Sequence, residues 1–360
     1  MEQAALWLAC ACAVAPLVSI AASQILLGGS LALLLAMRVK PVWTPAWPPL
    51  VVFMAWSVIS LLLSGDAQGG LPQVRKFYVL TALIIFATFI RERAPIRAVT
   101  LGWAAAAAAS SVWSGAQFFR KWAALSPGED FYLAYVANRV TGFLSHWMTF
   151  SGVIMMALLF VAARVLFAKE SPRARWALAG ACGVMGMGLA LSWTRSVWLG
   201  CFCGLLYLAW NWRKAAVLAL PVAAAVGFVA APDSLRLRAL SALRPHGDRD
   251  SNQHRAVTRA IGWRMIRAHP WFGLGPEQVG KQYKAYLPPG ATSLPDGFYG
   301  HLHNIYVHFA AERAEVDARR RGCRRIGRGG DHAAAHHGQR SRAAGRPELE
   351  VAAVVLPCQD

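Results

Sequence analysis

Apolar runs long enough to cross a lipid bilayer dominate this chain and restrict what it can fold into. A helix needs about 20 mostly apolar residues to span the ~30 Å hydrocarbon core. Because backbone polar groups in lipid must be satisfied within the segment, such runs are helical. The predicted fold class is therefore all-α, a polytopic integral membrane protein with about 10 transmembrane helices. The predicted spans are 4–20, 23–37, 50–64, 77–90, 98–118, 146–167, 177–193, 196–211 and 215–231, and a tenth begins near residue 303.

The composition excludes the main soluble classes. Hydrophobic residues make up 56% of the chain and charged residues only 15%, whereas a soluble globular domain carries roughly 25% charged residues. A disordered chain would have low hydrophobicity. The net charge of +19 is therefore interpreted through contact with membrane lipids, and no nucleic-acid partner is expected.

The distribution of basic residues predicts the orientation. With the N-terminus in the cytoplasm, the inside loops hold eleven Lys and Arg residues and the short outside loops hold six. This is the asymmetry that the positive-inside rule requires. The middles of the spans contain essentially no ionisable residues, and the chain shows no internal repeat. Both observations count against a polysaccharide or lipid transporter, because carriers commonly have charges at membrane depth and repeated halves.

The segment 232–302 is the large hydrophilic part of the chain before the tail and is predicted to lie outside. It carries ten Lys and Arg residues against five acids. Arg255, Arg259 and Arg267 project roughly from one side of a helix that ends at Pro270. One interpretation is a basic amphipathic helix on an anionic membrane surface. The other is a guanidinium cluster that binds a phosphorylated lipid, because Arg donors match phosphate oxygens in pairs. Composition alone favours the first.

Two histidines, His301 and His303, stand where the chain re-enters the membrane. Metal ligation is disfavoured because Glu312 is the only acid nearby, and neither a metal nor another cofactor is predicted. A histidine at the membrane face suits a general base or hydrogen-bond donor, because its ordinary pKa is near neutrality. An interfacial histidine bonded to the backbone would give the same sequence pattern.

Four motifs then occur in one order along the matching hydropathy profile. Over residues 1–312 the chain resembles the superfamily of O-antigen ligases and O-antigen polymerases, whose helix count is nearer 12. The motifs are Asn138-Arg139-Val-Thr-Gly142-Phe-Leu-Ser-His146, Ser192-Trp-Thr-Arg195-Ser196, Arg255 followed after 14 residues by Pro270-Trp-Phe-Gly273-Leu-Gly275-Pro276, and His303-Asn304-Ile-Tyr306 with Glu312 beyond it.

The resemblance implies glycosyl transfer at the periplasmic face of the bacterial inner membrane. Its donor is a glycan linked to undecaprenyl diphosphate, its acceptor is a sugar hydroxyl of lipid A–core, and no metal or nucleotide takes part. On this template Arg195 and Arg255 hold the donor diphosphate, and His303 acts on the acceptor hydroxyl as base or positioning group. Weaker candidates, which interfacial anchoring explains equally well, are Arg139, Arg259, Arg264 and His301.

The nearest alternative is the related polymerase, which joins repeat units on the same carrier, and the motifs do not separate the two reactions. Transfer of glycan to protein is a weaker alternative because no extra soluble domain is present.

The predicted organisation has four parts. Residues 1–231 form transmembrane helices 1–9, residues 232–302 form a periplasmic loop with short helices that is part of the active site, and residues 303–312 start a further span.

Residues 313–360 form a tail with ten Arg and no Lys, a composition that GC-rich codons give when read out of frame. The hypothesis is a frameshift near codon 313, which would leave the last span too short to cross and the protein inactive. The functional alternative is an Arg-rich arm that binds anionic lipid.

Overall fold

Helices account for all regular structure in the part of the chain that the structure, a computed structural model, describes: residues 1–128, 130–240, 251–288 and 299–313. The nine predicted spans lie mostly on helical residues, although 4–20 runs through an α-helix and a 3-10 helix into a break at residues 18–19, and 77–90 covers a 3-10 helix followed by an α-helix. The α-helices are α1 Glu2–Val14, α2 Ile20–Ala36, α3 Trp47–Leu63, α4 Ala67–Arg75, α5 Ala82–Phe89, α6 Arg93–Ala123, α7 Phe131–Ala137, α8 Trp147–Phe167, α9 Pro172–Leu191, α10 Arg195–Trp212, α11 Lys214–Ala230, α12 Asp233–Leu240, α13 Ser251–Ala268, α14 Val279–Gln282 and α15 Ile305–Arg313, with 3-10 helices at Ala15–Leu17, Lys76–Thr81 and Tyr283–Tyr286.

Three helical segments among the described residues are long and apolar enough to cross a membrane: Ala67–Phe89, Trp147–Phe167 and Pro172–Leu191. The first joins α4 to α5 through a 3-10 turn, so it begins ten residues before the predicted span at 77–90. Shorter apolar helices of 10–17 residues make up much of the rest. At 1.5 Å per residue, a 17-residue helix is about 26 Å long, slightly less than the hydrocarbon core. The described residues are all-helical and consistent with a membrane protein, and the count of about ten spans stays a prediction.

The central packing unit consists of α6, α8 and α9. Phe150, Ile154 and Met185 are fully buried within it. Small residues let the helices approach closely: a Cβ added at Gly188 would lie 2.6 Å from the Ser111 hydroxyl oxygen of α6. Small residues at helix contacts are typical of membrane bundles, where close backbone approach replaces the hydrophobic drive. This unit holds the segment that leads into α8, which carries Arg139, and the turn between α9 and α10, which carries Arg195.

The Gly273-Leu-Gly275 segment forms a turn. Gly273 and Gly275 have φ angles of 65° and 100°, a region that favours glycine. The N–H groups of Leu274 and Gly275 donate to the carbonyl oxygens of Ala311 and Glu312, both at 2.9 Å. A Cβ at Gly273 would lie 2.2 Å from the Glu312 carbonyl carbon. The turn therefore binds carbonyl groups in the last turn of α15, which a helix end otherwise leaves without partners.

The end of α15 is anchored on α3 and α4. Arg313 is buried; its Nε donates to the Ser57 hydroxyl at 2.7 Å, and its guanidinium also pairs with Gln73 and Glu312. The guanidinium lies 4.7 Å from the centre of the Phe309 ring. Arg313, the first residue of the predicted tail, thus completes a packed helix. Residues 314–360 lie outside the described residues, so the aberrant tail stays a prediction.

Candidate active site

A cavity of about 160 Å³ brings together residues that are distant in the sequence. Four of the predicted site residues line it: Arg139, Arg195, Arg255 and His303. The full lining is Arg139, Trp147, Met148, Thr194, Arg195, Ser196, Arg238, His254, Arg255 and His303. Its polar and charged members come from segments predicted to lie outside the membrane or at its outer face.

Arg139 is positioned by a loop clamped onto α6. The Oε1 atom of Gln117 accepts the N–H groups of Thr141 (2.9 Å) and Gly142 (3.0 Å), and its Nε2 donates to the Gly142 carbonyl (3.0 Å). Gly142 has a φ of 58°, and a Cβ there would lie 2.4 Å from Phe150 and from the Ser110 hydroxyl. The clamp explains why glycine stands three residues after Arg139, whose guanidinium lies over the Trp147 ring, 5.0 Å from its centre.

Arg195 is positioned by the tight turn between α9 and α10. Trp193 adopts a φ of 49° within this turn and is almost completely buried. A left-handed backbone at a bulky residue costs on the order of 1 kcal/mol or more, so packing must hold it. The Tyr135 ring packs edge-on at 4.7 Å, and the Tyr135 hydroxyl donates to the Leu191 carbonyl at 2.6 Å. Helix α7 therefore fixes the direction in which α10 begins.

Arg238 is a cavity residue that the sequence reasoning did not single out. It lies on α12, is buried, and donates from Nε to the Trp193 carbonyl oxygen at 3.1 Å. A buried arginine in a short charged helix gives no distinctive sequence signal. The only indication was its membership in the basic loop. Burial, and after it the charges of Arg238 and Arg195, lower the pKa of Arg139 to about 10. Arg139 therefore stays charged at neutral pH in the company of two other guanidinium groups.

Three helices begin at the cavity wall. Trp147 and Met148 open α8, and Arg195 and Ser196 open α10. The third helix, α13, contributes Arg255 from its second turn. The helix dipole makes such N-terminal ends favourable for anions, although at α8 the Met148 N–H already donates to Nδ1 of His146 at 3.2 Å. At α10 the Thr194 hydroxyl donates to the Ser192 carbonyl (3.1 Å) and does not cap the helix. Arginine side chains and helix N-termini at the cavity thus both favour a bound anion.

His303 enters the cavity from a strained backbone. Its φ is 52°, and its N–H donates to Nδ1 of His301 at 2.9 Å. The His303 ring lies edge-on to that of His254, with centroids 4.9 Å apart. His254 is buried and also packs edge-on against Tyr299 at 4.6 Å. Strained residues often mark functional sites, and here the strain accompanies a side chain that lines the cavity.

Three of the weaker candidates do not line the cavity. Arg259 is exposed on α13, one turn beyond Arg255. Arg264 donates from Nη1 to the Leu287 carbonyl at 2.8 Å, a structural bond to the segment after α14. His301 lies behind His303 and stacks on His308, with centroids 4.5 Å apart. Of the four weaker candidates, the structure thus brings only Arg139 into the cavity.

The described residues contain no group of three or more His, Cys, Asp or Glu side chains arranged to hold a metal ion. His303 makes ring-to-ring contacts with His254 and His301, and His301 makes one with His308.

Residues 180–313 match the protein-family model described as "O-Antigen ligase". The matched range includes α10, α12, α13 and the segment before α15, and thus all the ionisable cavity residues except Arg139: Arg195, Arg238, His254, Arg255 and His303. No curated protein and no solved structure matches the chain significantly. The predicted resemblance to the O-antigen ligase and polymerase superfamily is confirmed over this range.

Proposed function

We propose that this protein transfers a glycan from undecaprenyl diphosphate to a sugar hydroxyl of lipid A–core, at the periplasmic face of the bacterial inner membrane. The observation that carries the proposal is the convergence of Arg139, Arg195, Arg238 and Arg255 with His303 on one cavity. Such a cavity suits a doubly phosphorylated leaving group beside a group able to take a proton.

The arginines would bind the donor diphosphate. Guanidinium groups donate paired hydrogen bonds to phosphate oxygens and stay charged at any relevant pH. Without a bound metal, fixed cationic donors have to stabilise the charge that develops on the departing diphosphate. Drug-sized ligands occupy cavities of about 300–1,000 Å³, whereas this cavity measures about 160 Å³. It therefore suits the diphosphate, and the glycan and the polyprenyl chain would lie outside it.

His303 would act on the acceptor. The acceptor hydroxyl oxygen forms a bond to the anomeric carbon while the bond from that carbon to the diphosphate oxygen breaks. The diphosphate leaves with the electron pair, and the hydroxyl proton passes to the neutral imidazole. In this scheme Arg195 and Arg255 serve the leaving group and His303 serves the nucleophile, as the resemblance implies.

Contacts between charged residues join segments that are predicted to lie on the same side of the membrane. Arg97 and Arg164, both predicted inside, pair with Glu170, which follows Arg164 on the same inside segment and lies on a different one from Arg97. Lys281, predicted outside, pairs with Asp66 of an outside loop at 2.5 Å. The polar cavity residues come from outside segments, which is where an undecaprenyl-linked glycan would be presented. The family match and the apolar helices support a membrane location.

The test is deletion of the gene followed by glycolipid gels, with complementation by wild-type and His303→Gln proteins. Loss of all glycan from lipid A–core, with accumulation of lipid-linked polymer, is the expected result. A single repeat unit left on the core would instead assign the polymerase reaction. An unchanged glycolipid pattern would contradict both.

The tail proposal accompanies this function. The family match ends at residue 313, and the Arg-rich composition begins there. We expect resequencing around codon 313 to show a frame change. An intact frame encoding the same residues would overturn that idea and favour the lipid-binding arm. The complementation experiment should therefore include the gene with the frame restored.

A further inference from the structure

The segment from His301 to Val307 is held by side-chain bonds to its own backbone. The Nδ1 atom of His301 accepts the N–H of His303, two residues later, at 2.9 Å. The Oδ1 atom of Asn304 accepts the N–H groups of Tyr306 (3.0 Å) and Val307 (3.1 Å). Asparagine and aspartate side chains form the same kind of local turn by accepting an N–H two residues on. His303 therefore stands between two side-chain-stabilised turns.

His301 is itself fixed from behind. Its ring stacks on His308 of α15, with centroids 4.5 Å apart and an angle of 28° between the planes. His308 is buried, and its Nε2 lies 3.5 Å from Oε1 of Glu312. Glu312 also accepts the N–H of Glu277 at 2.8 Å and pairs with Arg313. The His301 ring stacks on His308, and His308 contacts Glu312. These contacts connect the backbone of His303 to the end of α15.

We propose that His301 is a positioning residue for His303: its neutral imidazole, through Nδ1, holds the left-handed backbone that directs the His303 ring into the cavity. The inference rests on the proposed function, in which His303 handles the acceptor proton. It assigns to His301 a role that requires an acceptor atom at the δ position, whereas a packing role requires only a ring.

The role also requires His301 to be neutral. Both ring nitrogens of a protonated histidine are donors, so Nδ1 could no longer accept the N–H of His303. Burial, and after it the neighbouring His308, lower the pKa of His301 and favour the neutral form. The groups around the ring are His303 from its own segment and His308 from α15. Behind His308 stand Glu312 and Arg313 of α15 and Glu277 of the glycine-containing turn.

The test compares two substitutions in the full-length protein, His301→Asn and His301→Leu. The Oδ1 atom of asparagine occupies the place of Nδ1 relative to Cγ, accepts hydrogen bonds and does not titrate. Each protein is assayed in detergent with lipid-linked glycan extracted from the deletion strain and with purified lipid A–core. We expect His301→Asn to keep kcat within about 3-fold and His301→Leu to lose about 10-fold or more, with an unchanged KM for the donor.

The outcomes separate this inference from the proposed function. Full activity of His303→Gln would remove the proton-transfer role of His303 and, with it, the proposed function as stated. Loss of activity in His303→Gln, together with full activity in His301→Leu, would overturn only the inference about His301. Equal losses in His301→Asn and His301→Leu, with unfolding temperatures like the wild type, would also overturn it. If His301→Leu fails to fold, His301→Ala takes its place, and His301→Asn still has to retain activity.

Discussion

The ring of His303 lies edge-on to the ring of His254, with centroids 4.9 Å apart and planes at 74°. His254 immediately precedes Arg255 on α13, so this contact joins α13 to the segment before α15, which carries His303. It brings the residue proposed to take the acceptor proton next to a residue proposed to bind the donor diphosphate. Helix α13 thereby sets the distance between donor and acceptor.

Replacing His303 by glutamine should lower the rate of glycan transfer by about 100-fold or more, because glutamine keeps polarity but cannot accept the proton. Transfer is measured by the detergent assay with extracted lipid-linked glycan. The matched control is His269→Gln, since His269 contacts Tyr286 at 2.9 Å and is absent from the cavity lining. Wild-type rates in His303→Gln would rule out the role of base.

Replacing Arg255 by lysine should weaken donor use by about 10-fold to 100-fold. Lysine keeps the charge but loses the paired donors, and a hydrogen bond to a charged group contributes about 1.5–3 kcal/mol. The control is Arg259→Lys, one turn further along the same exposed side of α13 and outside the cavity lining. The measurement is kcat/KM for the donor. Equal effects of the two substitutions would favour general membrane attraction over a specific diphosphate contact.

Replacing Gly142 by alanine should destabilise the protein and displace Arg139. The new Cβ would meet Phe150 and Ser110 at 2.4 Å on a backbone with a φ of 58°, at a cost of about 1–3 kcal/mol. Gly152→Ala on α8 is the control, because a Cβ there meets nothing within 4 Å and alanine favours a helix by about 0.5–1 kcal/mol. Thermal unfolding in detergent distinguishes the two variants. An unfolding temperature that falls for Gly152→Ala, or that does not fall for Gly142→Ala, would contradict the clamp.

The ion pair of Asp66 and Lys281 should make stability depend on pH in the acid range. The Lys281 hydrogen bond, followed by the Gly69 N–H, lowers the pKa of Asp66 from 3.8 to about 2. A carboxyl with a lowered pKa stabilises the fold above its unfolded value and loses that contribution as the pH falls towards the folded value. Lys281→Met should therefore unfold at a lower temperature than the wild type at pH 6.

The same difference in unfolding temperature should shrink as the pH falls towards 2, where about half of the Asp66 carboxyl groups in the wild type are protonated. Lys284→Met, which removes an exposed lysine of the following 3-10 helix, serves as the control and should show no such trend. A constant difference between Lys281→Met and wild type from pH 6 to pH 2 would count against the ion pair as its cause.

Several features were open to prediction because they depend on neighbouring residues alone. The positions of the helices follow from the length of the apolar runs, and the nine predicted spans lie mostly on helical residues. The turn at Gly273 and Gly275 follows from residue types that tolerate positive φ. The number of crossings was less accessible, since Ala67–Phe89 joins two helices through a 3-10 turn that hydropathy does not reveal.

The amino-acid sequence by itself determined that the chain is helical, apolar and rich in basic residues, and it carried motifs that resemble those of O-antigen ligases. Only the tertiary structure decided which basic residues meet. Arg255 and Arg264 are similar in the sequence, yet one lines the cavity and the other bonds the Leu287 carbonyl. Arg238 lines the same cavity, where its Nε donates to the Trp193 carbonyl oxygen in the turn before α10. The physical reason is that helix position is a local property of the chain, whereas the convergence of guanidinium groups depends on long-range packing of α6, α7, α8 and α13.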